Sequence, residues 1–149
     1  MNLEEEIKQK TFESEHQKAV LNVMVTSGWY NNLNSTILKP FGISPQQYNV
    51  LRILRGQLPK PVMLSIIQER MLDKMSNASR LVDKLVEKNL VSRHQCCHNR
   101  RQVDILISDT GLELLNKTDG LIKDGYSLTT KITEDEAKEL NRILDKIRS

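Results

Sequence analysis

Between residues 64 and 107 the apolar pattern of this 149-residue chain changes period, and that change limits the folds open to it. Leu64-Ser65-Ile66-Ile67-Gln68-Glu69-Arg70-Met71 predicts a short helix with Ile67 and Met71 on one face. A brief turn through Leu72, Asp73 and Lys74 follows. Ala78, Leu81, Val82 and Leu85 then recur at i, i+3, i+4 and i+7, which predicts a second helix over about residues 75–88 with one buried stripe. Asn89 can end that helix, because asparagine tolerates the left-handed conformation. Beyond it the period drops to two. Leu90-Val91-Ser92-Arg93 reads as one strand, and Val103, Ile105 and Ile107, alternating with Asp104, Leu106 and Ser108, read as a second. Two helices followed by a hairpin make a winged helix-turn-helix. The fold class expected is therefore mainly α with a small β-hairpin wing.

The outer side of the second helix is polar, and its residue types suit a groove of DNA. Ser76, Asn77 and Ser79 carry small hydroxyl and amide groups that allow close approach to base edges. Arg80, one turn along, can reach a guanine edge or a phosphate, and Lys74 and Lys84 flank it with positive charge. Residues 94–102 form the polar tip of the hairpin, where Arg100 and Arg101 can meet phosphates or the minor groove. Double-stranded DNA is the partner these eight residues imply. The charge distribution agrees: residues 60–101 hold nine Lys and Arg against four Asp and Glu, and the rest of the chain holds thirteen against fifteen. A basic segment between slightly acidic ones is a footprint for a polyanion.

The flanking segments read as helical. An apolar pattern through Val20, Val23, Met24, Trp29, Leu33 and Ile37 predicts one long helix over about residues 3–38, with Gly28 a weak point in it. Ser44-Pro45-Gln46-Gln47 combines a serine N-cap, proline at the first helical position and glutamine at the capping-box position. Tyr48, Leu51, Ile53 and Leu54 supply that helix's buried side, and Gly56 lies near its end. Thr133-Glu134-Asp135-Glu136 is a second capping box. It opens a last helix whose Ala137, Leu140, Ile143, Leu144 and Ile147 form an apolar stripe in need of a partner. The chain length suits a single domain over residues 1–149, with a winged-helix core at about 44–110 and helical flanks at about 3–38 and 110–148.

The strings SNASRLVDKLVEKNLVSR and NRRQVDILISDTG resemble the recognition helix, wing and following helix of the MarR family of bacterial transcription regulators. The resemblance is strongest over about residues 44–115, and helix order and chain length extend it to the whole sequence. It implies a homodimer held by the N- and C-terminal helices, with two half-sites about one DNA turn apart, roughly 10 base pairs, in a pseudo-palindrome. Trp29, Tyr30, Phe41 and Tyr48 fall where the first two helices should meet and read most simply as core packing; the resemblance adds, as the alternative, that they line a pocket for a small aromatic effector. The family wing carries Asp-x-Arg. Here Arg101 matches the arginine while Asn99 stands in the aspartate's place and offers a neutral hydrogen bond. Asn89 replaces the family's usual helix-terminating glycine.

Other chemistries are poorly represented. There is no Gly-rich phosphate loop, Gly-x-Ser-x-Gly elbow or His-Glu-x-x-His, so no enzyme, catalytic residue or cofactor is expected. His94, Cys96, Cys97 and His98 are zinc-type residues, but their spacing is poor for a tetrahedral site, and no metal is expected. The leading reading is a flexible polar wing turn; a pair of thiols open to oxidation beside Arg93, Arg100 and Arg101 is the next. Two adjacent cysteines, an acidic N-terminus and no apolar run of about 20 residues suggest a cytoplasmic protein without a membrane partner. Two function classes follow. One is a sequence-specific transcription regulator, acting as a repressor released by an effector. The other is a winged-helix module that grips a protein instead of DNA, or a redox-responsive regulator working through Cys96 and Cys97. The polar outer face of the second helix favours DNA over a protein partner.

Overall fold

The computed structural model describes residues 2–126 and 131–149, and the backbone alone at Tyr126. Its elements in chain order are α1 (Leu3–Glu6), α2 (Glu15–Leu38), α3 (Pro45–Gln57), β1 (Val62–Met63) and α4 (Leu64–Arg70), then α5 (Ala78–Glu87), β2 (Val91–Gln95), β3 (Val103–Ile107), α6 (Asp109–Tyr126) and α7 (Glu134–Arg148). The fold is mainly helical with a small antiparallel wing, as the sequence predicts. Residues 127–130 of the expected C-terminal helical region lie outside the described residues.

The start of α3 follows the sequence signal atom by atom. The Ser44 side chain accepts the Gln47 N–H, and the Gln47 side chain accepts the Ser44 N–H in return. Tyr48, Val50, Leu51 and Leu54 then enter the core, where they meet Ile67 and Met71 of the α4 region and Val82 and Leu85 of α5. Burying four such side chains contributes about 1.5–3 kcal/mol each, so α3 is the central post of the winged helix. The hairpin closes the core from one side: Val91 pairs with Ile107 and Arg93 with Ile105 across β2 and β3. On the other edge of β3, Val62 and Met63 of β1 pair with Ile105 and Asp104, giving a three-stranded sheet in the order β1-β3-β2. Two residues are too few to show an alternation, so the sequence does not predict that third strand.

Two helix boundaries differ from expectation. The predicted helix over residues 3–38 is two pieces, because residues 8–14 are polar apart from Phe12 and supply no apolar face. Asn2 caps a single turn, Lys8 turns the chain at φ 55°, and Ser14 starts α2 by accepting the Gln17 N–H. Gly28 leaves α2 unbroken. The helix expected from residue 75 begins at Ala78, since Met75 and Ser76 sit in a turn closed by Ser76 N–H to Asp73 O at 3.1 Å.

α2 and α6 pack along one another, which brings the N- and C-terminal helices into contact. A polar network fastens α6 to the winged helix. Asp119 accepts a hydrogen bond from the Tyr48 hydroxyl at 2.7 Å and an ion pair from Arg55 at 2.5 Å. Burial, and then the bond to Asp119, push the Tyr48 phenol up to about 12. Burial alone would raise the Asp119 carboxyl, but hydrogen bonds from Arg55 and Tyr48 outweigh it and hold it below the ordinary carboxylate value. A carboxylate depressed in the folded state adds stability above its ordinary pKa, and that contribution fades as pH falls through the lower folded value. The Asp119→Asn variant should therefore be less stable than the parent at neutral pH. Urea unfolding from about pH 6 to about pH 2.5 should show the gap closing below about pH 4. A gap that stays constant over that range would rule out the linkage.

α7 keeps its expected capping box, with Thr133 and Glu136 bonding reciprocally. Its apolar stripe is largely uncovered: Leu140, Ile143 and Ile147 are exposed, and Ala137 and Leu144 are half-buried.

Candidate nucleic-acid interface

The turn between α4 and α5 is set by side chains that the sequence pattern does not advertise. Gln68, on α4, accepts the Ala78 N–H at 3.0 Å and donates to the Ser76 carbonyl at 2.8 Å. It thereby satisfies one of the orphan donors at the start of α5 and fixes the chain entering it. Asn49 of α3 accepts the Leu72 N–H at 2.9 Å, and Asp73 accepts the Met75 N–H at 2.9 Å. Gln68 has no sequence signal because its partners lie eight and ten residues away across a turn. Replacing Gln68 with alanine should cost about 1 kcal/mol of stability, the typical net value of such bonds, while loosening the end of α5. Urea unfolding set beside DNA titration is the check; an unchanged DNA affinity would show that the brace does not serve recognition.

The exit from α5 is equally defined. Asn89 adopts the left-handed conformation at φ 57°, and the Leu90 N–H returns to the Leu85 carbonyl at 3.0 Å. The chain passes directly into β2, whose Arg93 reaches back to Asp83 of α5 at 2.5 Å. Helix and wing are thus tied by an ion pair as well as by the core. At the tip, Cys96 N–H donates to Gln102 O and Gln102 N–H to Asn99 O, each at 2.9 Å. Asn99 uses its side-chain oxygen to accept the Arg101 N–H at 3.0 Å, and Gln95 donates to the Arg100 carbonyl at 2.7 Å. Asn99 therefore shapes the backbone of the turn and does not engage the Arg101 guanidinium.

The eight predicted residues fall into distinct positions. Ser79, Arg80 and Lys84 are exposed on α5, and Arg100 and Arg101 are exposed on the wing. Arg80, Arg100 and Arg101 have no carboxylate partner among the described residues, so their charge is free for a ligand. Lys84 pairs with Glu87 at 3.1 Å, and Lys74 is held by the Glu69 carbonyl. Asn77 is the N-cap: its side-chain oxygen accepts the Arg80 N–H at 3.1 Å. Ser76 precedes the helix, and its hydroxyl is buried without a partner among the described residues, which removes it from the outer face expected of it.

The core-packing role expected of the four aromatic residues is taken by Tyr48 and Phe41. Tyr48 is buried and Phe41 packs half-buried on the core, but Trp29 is 40% exposed. It lies edge-on to Tyr30 at 4.7 Å with the Lys131 ammonium over its ring at 5.3 Å. A cavity of about 410 Å³ lies instead between α2, α3 and the α4–α5 turn, lined by Asn31, Asn34, Tyr48, Arg52, Ile53 and Met71 among others. Of these four aromatic residues, only Tyr48 borders this one. Among the described residues, no group of three or more His, Cys, Asp or Glu side chains is placed to hold a metal ion. No described helix is long and apolar enough to cross a membrane.

A capped helix braced across a turn, followed by a basic hairpin, defines a winged helix-turn-helix. Residues 43–103 match the model of the MarR family. A solved MarR transcription factor from Planctomyces limnophilus is 30% identical to this chain, with a TM-score of 0.69 over 91% of this chain and 98% of that one. The chain belongs to the MarR family: it is a DNA-binding transcription regulator, and the family is not one of enzymes. The HTH-type transcriptional regulator MgrA of Staphylococcus aureus is 27% identical over 119 residues, covering 80% of this chain and 77% of that protein. A mutant MarR from E. coli, crystallised in complex with operator DNA, is alike in fold at a TM-score of 0.76 and 20% identity, over 93% of this chain and 99% of that one.

Proposed function

We propose that the protein is a homodimeric repressor that binds a pseudo-palindromic operator, with α5 in the major groove and the wing on the flanking backbone. The observation that carries this reading is the placement of Arg80 on α5 and of Arg100 and Arg101 on the wing, all three exposed and without a carboxylate partner among the described residues, on elements tied by the Arg93–Asp83 bridge. Ser79, Arg80 and the Asn77 amide face bases in this reading, while Lys74, Lys84, Arg100 and Arg101 serve phosphates or the minor groove. Ser76 acts by shaping the turn. The uncovered apolar residues Val20, Val23 and Met24 of α2 and Leu140, Ile143 and Ile147 of α7 support a dimer interface built from both ends of the chain. Residues 1–149 then act as one domain, with residues 44–110 reading DNA and the flanking helices dimerising.

The cavity beside Arg52 suits a small aromatic anion, whose ring would lie on Tyr48 and Ile53 and whose charge would meet the guanidinium. Because Met71, Leu72 and Asp73 of the α4–α5 turn form one wall, occupancy would bear directly on the entry to α5.

Salt-titrated binding to fragments of the source genome tests the central claim. Specific fragments should bind tightly at low salt, carry two half-sites about 10 base pairs apart, and show a log binding constant that falls linearly with log salt as counterions return to the phosphates. The absence of any tightly bound fragment at low salt would overturn it.

A further inference from the structure

The sequence contains two cysteines, Cys96 and Cys97, adjacent at the tip of the wing. Cys97 is exposed and Cys96 half-buried, and both are free thiols. They sit where the hairpin reverses, Cys96 directly after the end of β2 and Cys97 shortly before Arg100. Four contacts hold this reversal: Cys96 N–H to Gln102 O at 2.9 Å, Gln102 N–H to Asn99 O at 2.9 Å, Arg101 N–H to the Asn99 side chain at 3.0 Å, and the Gln95 side chain to Arg100 O at 2.7 Å. From Val91 to Val103 the chain has no Asp or Glu and carries three arginines. The tip is therefore an open, cationic surface with two neighbouring nucleophiles and a turn that depends on the backbone of one of them.

We propose that Cys96 and Cys97 are an oxidation site for hydroperoxides, and that their conversion to a vicinal disulfide loosens the wing and weakens its grip on DNA. In the first step the exposed Cys97 sulfur attacks the terminal oxygen of the hydroperoxide ROOH: an S–O bond forms, the O–O bond breaks, and the leaving RO oxygen takes the Cys97 thiol proton and departs as the alcohol ROH. In the second step the Cys96 sulfur displaces the oxygen from the Cys97 sulfenic acid: the S–S bond forms, the S–O bond breaks, and water departs with the Cys96 thiol proton. Two thiols lose two electrons and two protons in total, and one hydroperoxide is reduced to an alcohol and water. No external resolving thiol is required, because the second sulfur is on the next residue.

The geometry explains why such a bond would disturb the tip and be readily reversed. Neighbouring α-carbons are about 3.8 Å apart across a trans peptide, below the roughly 4.4–6.8 Å that ordinary disulfides span. Closing the small ring must strain the peptide between the cysteines and turn their backbones. Cys96 N–H is then drawn off Gln102 O, the bond that closes the loop carrying Arg100 and Arg101. Strained, exposed disulfides are also the easily reduced ones, so the change is reversible by cellular thiols.

The effect on DNA rests on the DNA-binding reading above, whereas the thiol chemistry does not, and one experiment separates them. The full-length protein and its Cys96→Ser, Cys97→Ser and doubly substituted variants are treated with hydrogen peroxide under non-reducing conditions. Intact mass, free-thiol titre and operator binding are then read before and after a phosphine reductant. The parent should lose about 2 Da and both thiols, lose about tenfold or more in affinity, and regain both on reduction. The double variant should bind equally well with and without peroxide. Disulfide-linked chains on non-reducing gels, a gain of two oxygens without loss of hydrogen, or unchanged thiols would each overturn the site. A disulfide that forms while affinity stays the same would overturn the switch. Reduced parent that binds no DNA would count against the DNA reading, and the mass change would still decide the chemistry.

Discussion

Alanine at Gly111 should lower the unfolding free energy by about 2–3 kcal/mol, although alanine is the better helix former. Gly111 lies in the first turn of α6, and a Cβ there would stand 2.3 Å from the Leu90 carbonyl oxygen and 2.7 Å from Ile107 Cγ1. The Leu90 carbonyl cannot retreat easily. It accepts the Ser108 N–H at 3.0 Å, and the Leu90 N–H is itself bonded to Leu85 at 3.0 Å as the closing bond of α5. Overpacking of this kind typically costs about 1–3 kcal/mol or more, and here the obstacle is backbone, which puts the clash at or above the top of that range. Helix preference returns about 1 kcal/mol. Gly120 provides the internal control: it is in the same helix, and nothing lies within 4 Å of its would-be Cβ. Gly120→Ala should leave stability unchanged or raise it by up to about 1 kcal/mol. Urea unfolding of the two variants decides the matter; a Gly111→Ala loss under about 1 kcal/mol would mean that α6 can move off the hairpin freely.

Removing the Arg80 side chain should relax operator sequence preference at the base pair it meets by about 1–3 kcal/mol, the range of a bidentate base contact. Arg80 is exposed on the first turn of α5 and has no acidic partner among the described residues, so the loss falls on DNA binding and hardly on folding. Arg101→Ala should behave differently. It should weaken every sequence alike and reduce the salt slope by about one, since its target is backbone or minor groove. Asn77→Ala combines both kinds of effect, because removing an N-cap costs about 1 kcal/mol of stability before any base contact is considered. Binding-site selection with each variant is the measurement. If Arg80→Ala and Asn77→Ala both return the parent's preferred sequence, α5 does not read bases through these residues.

The features legible in the sequence are those encoded locally. The Ser44 and Thr133 capping boxes, the stripe Ala78, Val82 and Leu85, the Asn89 exit and the alternation of Val103, Ile105 and Ile107 each lie within one or two turns or one strand. What escapes such reading is non-local or too short to be periodic. β1 exists because β3 has a free edge for Val62 and Met63, and Gln68 matters because folding sets it beside Ser76 and Ala78. Spacing alone puts Ser76 and Asn77 on the helix face, because it does not show where the turn releases the chain.

By itself the sequence determined the two helices and the hairpin of the winged helix-turn-helix and the concentration of positive charge in the middle third. Apolar periodicity and helix-end chemistry act between near neighbours, and composition survives any arrangement of them. The tertiary structure decided which arginines are left without a carboxylate among the described residues, which amide is occupied as a cap, and that Tyr48 alone of the four aromatic residues borders the cavity beside α3. Those outcomes depend on distances between segments far apart in the chain, and such distances arise only when the core formed by α3, α4, α5 and the hairpin has closed.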